Sequence, residues 1–318
     1  MNTVALIINI GIAIITLVGI LFMLKDFKVH KDQLKVDMKV GGSAKTIKAS
    51  VIAIVTLFFD TLGIGCYAPM TAGFKIFGVC RDKYIPGTLN VACLMATCVE
   101  SIYFISVVEV DTLTLVACIA AATIGAYLGG GLVSKLNLDN VRKAVGTALL
   151  IVAVVLILGL AGMMDFSGTE IGLTGWKLIL IVVISLVMGA LMTIGVGIYA
   201  PLLAMVSLLG MDPSVAFPIM LGCCAFLIPA AAIRFCQESI KADTPKYDRK
   251  VAVITNTVGL IGPVCAMVLV TSLPLFWLKV LVTVVVVYVG VTMLYQGFKK
   301  KEDKIAMREE EERKNMTE

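Results

Sequence analysis

Residues 61–69 read Thr-Leu-Gly-Ile-Gly-Cys-Tyr-Ala-Pro, and residues 193–201 read Thr-Ile-Gly-Val-Gly-Ile-Tyr-Ala-Pro. Six of the nine positions are identical at an offset of 132, and the same offset pairs Gly78 with Gly210 and Pro86 with Pro218. A helix-breaking segment that occurs twice in an apolar chain narrows the possible folds sharply. It predicts a membrane transporter built from two repeats, with the substrate near the two breaks.

The surrounding sequence is apolar enough to hold such repeats in a bilayer. Of 318 residues 59% are hydrophobic and 15% charged, with a mean hydropathy of +0.99. Apolar runs of about 20 residues, the length of one crossing, fall near 3–24, 49–77, 87–107, 112–133, 141–163, 177–209, 214–234, 250–270 and 274–298. The expected class is an all-α polytopic membrane protein. The first run lacks a basic flank and a small-residue cleavage site, so it reads as a retained helix rather than a signal peptide. Nine scattered cysteines without a C-x-x-C pair read as buried free thiols. A single histidine, His30, in a lysine-rich loop leaves little for a His-based metal site. No metal and no cofactor are expected, and the basic residues sit in loops that set topology rather than binding nucleic acid.

Loop charge orients the chain. Residues 25–48 carry seven lysines and the tail from Lys299 seven basic residues; the 75–83, 134–143 and 234–250 loops bring the total to 25 of the 27. Loops 108–111 and 164–175 carry Glu109, Asp111, Asp165 and Glu170 and no Lys or Arg. All 25 basic residues reach the cytoplasmic side when each long segment, 49–77 and 177–209, is a re-entrant hairpin. The rival threading makes each one a single broken crossing. Three crossings follow each hairpin, so the two repeats are inverted, with an extra N-terminal helix before them. The expected parts are therefore 1–48, the N-terminal transmembrane helix and cytoplasmic loop; 49–163, repeat 1; 177–298, repeat 2; and 299–318, a charged cytoplasmic tail. The chain is expected as a multi-pass plasma-membrane protein, N-terminus outside and C-terminus cytoplasmic. A weaker match at offset 137 pairs Gly125 with Gly262, Leu136 with Leu273 and Arg142 with Lys279.

Gly63, Gly65, Gly195 and Gly197 permit backbone that other residues resist. Pro69 and Pro201 suit the first turn of a new helix, where a missing N–H costs nothing. Each motif therefore predicts a half-helix starting near Tyr67 or Tyr199. Its N-terminal N–H groups and dipole favour an anion without a buried Lys or Arg. Glycines can also serve only close helix packing, but the duplicated Tyr-Ala-Pro argues for the broken-helix reading.

The motif pair, the four-segment repeat and the Leu-Gly-Met-Asp-Pro run at 209–213 resemble the sulfite exporter TauE/SafE family, also called the 4-toluene sulfonate uptake permease family. The resemblance covers residues 45–298. It rests on Gly63, Gly65 and Pro69 and on Gly195, Gly197 and Pro201. Where family members often carry a third consecutive glycine, Cys66 and Ile198 stand here. The resemblance implies secondary transport of sulfite, an organosulfonate or a related organic acid.

The candidate substrate-binding residues are Gly63, Gly65, Cys66, Tyr67, Ala68 and Asn90 in the first half. In the second they are Gly195, Gly197, Ile198, Tyr199, Ala200 and Asn256. Pro69 and Pro201 are structural. Asn90 and Asn256 either offer donors to an oxyanion or bond between helices. Asp60 and Glu100 are the only carboxylates inside the predicted spans and are the candidates for proton coupling. Asp60 is favoured because it adjoins the first hairpin tip. Its counterpart in the second repeat is Met192. Lys279 reads as a snorkelling interfacial residue. No nucleophile–base pair, metal cluster or Walker motif is present, which argues against an enzyme or direct ATP drive. The expected function is an alternating-access anion transporter, with an anion channel or a membrane sensor on the same hairpins as the alternative.

Overall fold

The computed structural model describes residues 3–132, 137–163, 168–193 and 196–298. Gly195 and the tail 299–318 lie outside the described residues. Among the described residues eight segments are long and apolar enough to cross a membrane: Thr3–Val29, Gly42–Thr61, Asp82–Val107, Asp139–Leu160, Gly175–Met192, Pro213–Ala242, Arg249–Ser272 and Leu275–Phe298. The protein is thus an all-helical, multi-pass membrane protein.

Helix α1 (Thr3–Val29) shows why such segments sit in lipid. Leu6, Ile7, Ile10, Ile14, Leu17, Leu21 and Leu24 are exposed, while Ile12, Thr16, Gly19 and Met23 form a narrow buried stripe. The lysine-rich segment expected as a loop is partly helical, with α2 at Lys31–Lys39, and α3 (Gly42–Thr61) starts earlier than its apolar run. Short lysine-bearing turns still satisfy helical hydrogen bonds, so polarity alone did not mark a loop there.

Both duplicated segments break as the glycines predict. Helix α3 stops at Thr61 and α4 (Tyr67–Ile76) begins six residues on. Gly63, at φ +93°, donates its N–H to Asp60 O over 2.8 Å, and Ile64 donates to Phe59 O over 3.2 Å. These paired bonds close a helix through a left-handed residue, which glycine adopts without a Cβ clash. Helix α9 (Gly175–Met192) is followed by α10 (Tyr199–Leu208), and Val196 donates to Leu191 O over 3.2 Å, the equivalent bond at offset 132. The far ends match too: Val79 donates to Phe74 O and Met211 to Val206 O, with Gly78 at φ +60° and Gly210 at φ +89°.

Each helix pair turns back on itself. Lys48, near the base of α3, donates to Phe77 O at the end of α4 over 3.4 Å. Lys177, at the start of α9, donates to Leu209 O at the end of α10 over 3.0 Å. The segments are therefore hairpins whose two ends lie together.

The remaining helices are α5 (Ile85–Ala92), α6 (Leu94–Val107), α7 (Thr112–Leu132), α8 (Leu138–Leu160), α11 (Ala216–Ala242), α12 (Arg249–Thr257), α13 (Ile261–Ser272) and α14 (Leu275–Phe298). The hairpins pack on the opposite half of the sequence. A Cβ on Gly125 of α7 would sit 1.9 Å from Leu186 O of α9, and one on Gly262 of α13 would sit 2.2 Å from Ile54 O of α3. Gly125 and Gly262 are a pair at offset 137, Ile54 and Leu186 a pair at offset 132. Without lipid-excluding hydrophobic gain between helices, such close backbone contact is what joins them.

The loops divide between the two ends. At one end Lys45 pairs with Asp248 (2.6 Å), Lys250 donates to Val40 O and Gly42 O, and a Cβ on Gly87 would meet Lys246 O at 2.2 Å. At the other end Asp111 donates its N–H to Ile171 O and Asp212 to Glu170 O. The basic loops 25–48, 75–88 and 241–250 therefore meet at one end, and the acidic loops at the other. At the basic end Arg249 is fully buried. Its Nε donates to Asp26 Oδ2 over 2.8 Å and its Nη1 to Asp37 Oδ2 over 3.2 Å. Tyr247 also donates to Asp26 Oδ2 (2.8 Å) and is itself held in the phenol form, because burial pushes its hydroxyl far above the usual range. Both ring nitrogens of His30 lie 3.0 Å from carboxylates, those of Asp26 and Asp243.

Candidate functional site

The interior site is built where the two hairpin tips meet. A Cβ on Gly63 of the first tip would lie 3.3 Å from Leu203 of α10 and 3.6 Å from Met220 of α11. At Gly65 (φ +88°) and at Gly197 it would meet nothing within 4 Å, so both tips border open space. Gly197 lacks the left-handed backbone of Gly65 and Gly63.

The two tips differ in charge. Asp60, at the end of α3, turns its Oδ1 to accept the N–H of Cys66 over 2.6 Å, immediately before α4. A carboxylate in front of a helix start is stabilised by the free N–H and the dipole. Met192 holds the equivalent place in the second hairpin, and Ile198 at the start of α10 has no side-chain cap. The first tip carries its own carboxyl group; the second does not.

Around the tips the side chains form one polar cluster within an apolar core. Tyr67 donates to Asn90 Oδ1 over 2.9 Å, and Asn90 Nδ2 donates to Pro86 O over 2.9 Å. Thr61 Oγ1 lies 2.6 Å from Glu100 Oε1, and Glu100 is fully buried on α6. Tyr199 on α10 and Cys224 on α11 are both buried. Cys66 Sγ lies 3.6 Å from Cys93 Sγ, and Cys224 Sγ lies 3.9 Å from Met192 Sδ. Among the described residues no Lys, Arg or His forms an ion pair or hydrogen bond with Asp60 or Glu100.

The structure thus brings together Asp60, Gly63, Gly65, Cys66, Tyr67, Asn90, Glu100, Gly197, Ile198 and Tyr199. Ala200 and Pro201 are buried beside Tyr199, while Ala68 is exposed and Pro69 half-buried in the first turn of α4. Asn256 is used elsewhere. Helices α5 and α6 are separated at Cys93, which interrupts the bond from Met95 N–H to Val91 O. Asn256 inserts its amide there: Oδ1 accepts from Met95 N (2.9 Å) and Nδ2 donates to Val91 O (2.8 Å) and Ala252 O (2.9 Å). A side chain that enters a helix ladder in this way fixes a kink.

Sequence reasoning did not single out Thr61, Cys93, Met192 or Cys224 as members of the cluster, or Asp26 and Arg249 as a pair. Thr61 opens the first copy of the duplicated motif and Met192 directly precedes the second, which was the only available signal. The others come from distant turns and carried none.

On the acidic end a cavity of about 350 Å³ opens, lined by Glu109, Asp212, Ser214 and Thr271 among apolar residues. Its floor includes Phe104 and Phe217, whose rings stack at 5.0 Å and 18°. One turn further along α6 from Phe104 lies Glu100. Comparison with protein-family models, curated proteins and solved structures gives no match.

Proposed function

We propose that this protein is a secondary transporter of a small anion, working by alternating access between two inverted repeats, as the resemblance to the sulfite exporter TauE/SafE family implies. The observation that carries the reading is the meeting of two half-helix starts, each with room for a Cβ at its glycine, Gly65 and Gly197. Broken backbone at membrane depth leaves N–H groups that need protein, water or a ligand. The uncapped start of α10, beside Tyr199, is the seat for the anion. Sulfite, an organosulfonate or a short organic acid has the size and charge for it.

Inverted repeats are supported by the matched turns at offset 132 and by the reciprocal contacts of Gly125 and Gly262. The plasma-membrane orientation, N-terminus outside and C-terminus cytoplasmic, is supported by the gathering of basic loops at one end. No nucleophile–base pair stands in the cluster, which favours transport over catalysis.

The test is flux in proteoliposomes with sulfite, organosulfonates and short carboxylates. Saturable uptake driven by a substrate gradient is expected. Non-saturating flux would favour a channel on the same hairpins, and no flux of any of these anions would defeat the reading.

A further inference from the structure

We propose that Glu100, not Asp60, carries the exchangeable proton of this site, while Asp60 stays ionised as a fixed cap on the first half-helix. The inference rests in part on the transport reading, because it names the coupling ion and its carrier.

The argument begins with hydrogen count. Thr61 Oγ1 lies 3.0 Å from Leu57 O and 2.6 Å from Glu100 Oε1. A hydroxyl has one hydrogen and two lone pairs. Leu57 O only accepts, so when Thr61 donates to it, the short contact to Glu100 needs a hydrogen from the carboxyl. The pair is then Glu100 O–H to Thr61 Oγ1, and Thr61 O–H to Leu57 O. Glu100 Oε2 is buried with no hydrogen-bond partner among the described residues. An ionised carboxylate would leave charge on that unpaired oxygen in a dry interior, whereas a neutral acid leaves little.

Asp60 is buried as Glu100 is, but its partner is a backbone donor. Its Oδ1 accepts a 2.6 Å bond from Cys66 N–H at a helix start. A backbone donor and the dipole both favour the ionised form. The groups that face Glu100 are Asp60 on α3, Cys66 before α4, Tyr199 on α10 and Cys224 on α11. None is cationic, and two buried carboxylates without a counter-charge cannot both ionise. The hydrogen bonds decide which of the two stays neutral.

The roles fit one cycle. Asp60 repels an anion from the first tip and leaves the second tip to the substrate. A neutral Glu100 beside that tip tolerates the anion, and loss of its proton makes the site hostile to it. Proton and anion then move together.

Infrared difference spectroscopy of the purified protein tests the assignment without any transport assay. At neutral pH the wild type is expected to show the carbonyl stretch of one buried neutral carboxyl. Glu100→Gln should remove the band and Asp60→Asn should keep it. Thr61→Val, which leaves both carboxyls in place, should shift the band upward as the carboxyl loses its hydrogen-bond partner. Absence of the band in the wild type, or its loss in Asp60→Asn, overturns the proposal. So does an unshifted band in Thr61→Val. In proteoliposomes Glu100→Gln should exchange anion but lose acceleration by a pH gradient; unchanged acceleration overturns it as well. No flux in the wild type defeats the transport reading alone, and the infrared result then decides.

Discussion

Gly65 and Gly197 occupy the same place in the duplicated motif, yet the structure separates their reasons for being glycine. Gly65 holds φ +88°, where an L residue is strained whatever the space around it. Gly197 does not, and has room for a Cβ. Gly65→Ala is therefore expected to destabilise the protein by roughly 1–2 kcal/mol, with Gly197→Ala near neutral in thermal unfolding. Valine at either site should stop anion flux, through backbone strain at Gly65 and through filling the space before α10 at Gly197. Normal flux in both valine variants would place the site elsewhere. Asn256 gives a second residue-scale expectation. Asn256→Ala leaves Val91 O and Met95 N–H without their partner and should cost about 2 kcal/mol or more, read as a lowered midpoint in detergent. The glycines were legible in sequence because their chemistry is local. The role of Asn256 was not, since the gap it fills lies 161 residues away and is set by packing.

At the scale of elements, the hairpins and their turns followed from two repeated glycine motifs, and the crossings from run length. The breaks inside the α5–α6 and α12–α13 crossings did not, because no proline or Gly-x-Gly marks Cys93, and Gly259, Gly262 and Pro263 around the 3-10 turn Val258–Leu260 lie inside one apolar run of crossing length. The tie between α1 and α12 was equally hidden. It predicts a clear asymmetry between variants. Arg249→Met strands the buried Asp26 carboxylate and should cost roughly 3–5 kcal/mol. Adding Asp26→Asn should return much of that loss. If the single variant unfolds no earlier than wild type, the buried pair does not hold the two helices together.

For the whole molecule, the division of loops between a basic and an acidic end makes sidedness testable. On a background without native cysteines, a cysteine at position 82 should react with an impermeant reagent only from the cytoplasmic side, and one at position 212 only from outside. Outside labelling at position 82 would refute the re-entrant arrangement. Sequence charge alone already pointed to this division, because bilayer insertion reads lysine and arginine directly. What charge could not give was the meeting of the two tips, which depends on backbone contacts at Gly125, Gly189 and Gly262. The Asp26–Arg249 pair adds a matter of timing. Its partners are 223 residues apart in the chain. At synthesis rates of about 5–20 residues per second, Arg249 emerges roughly 10–45 s after Asp26. Throughout that interval Asp26 has His30 beside it but not the guanidinium that ties α1 to α12. Final seating of the chain's beginning therefore waits on its last third, and a nascent chain cut short before α12 lacks the guanidinium with which Asp26 pairs.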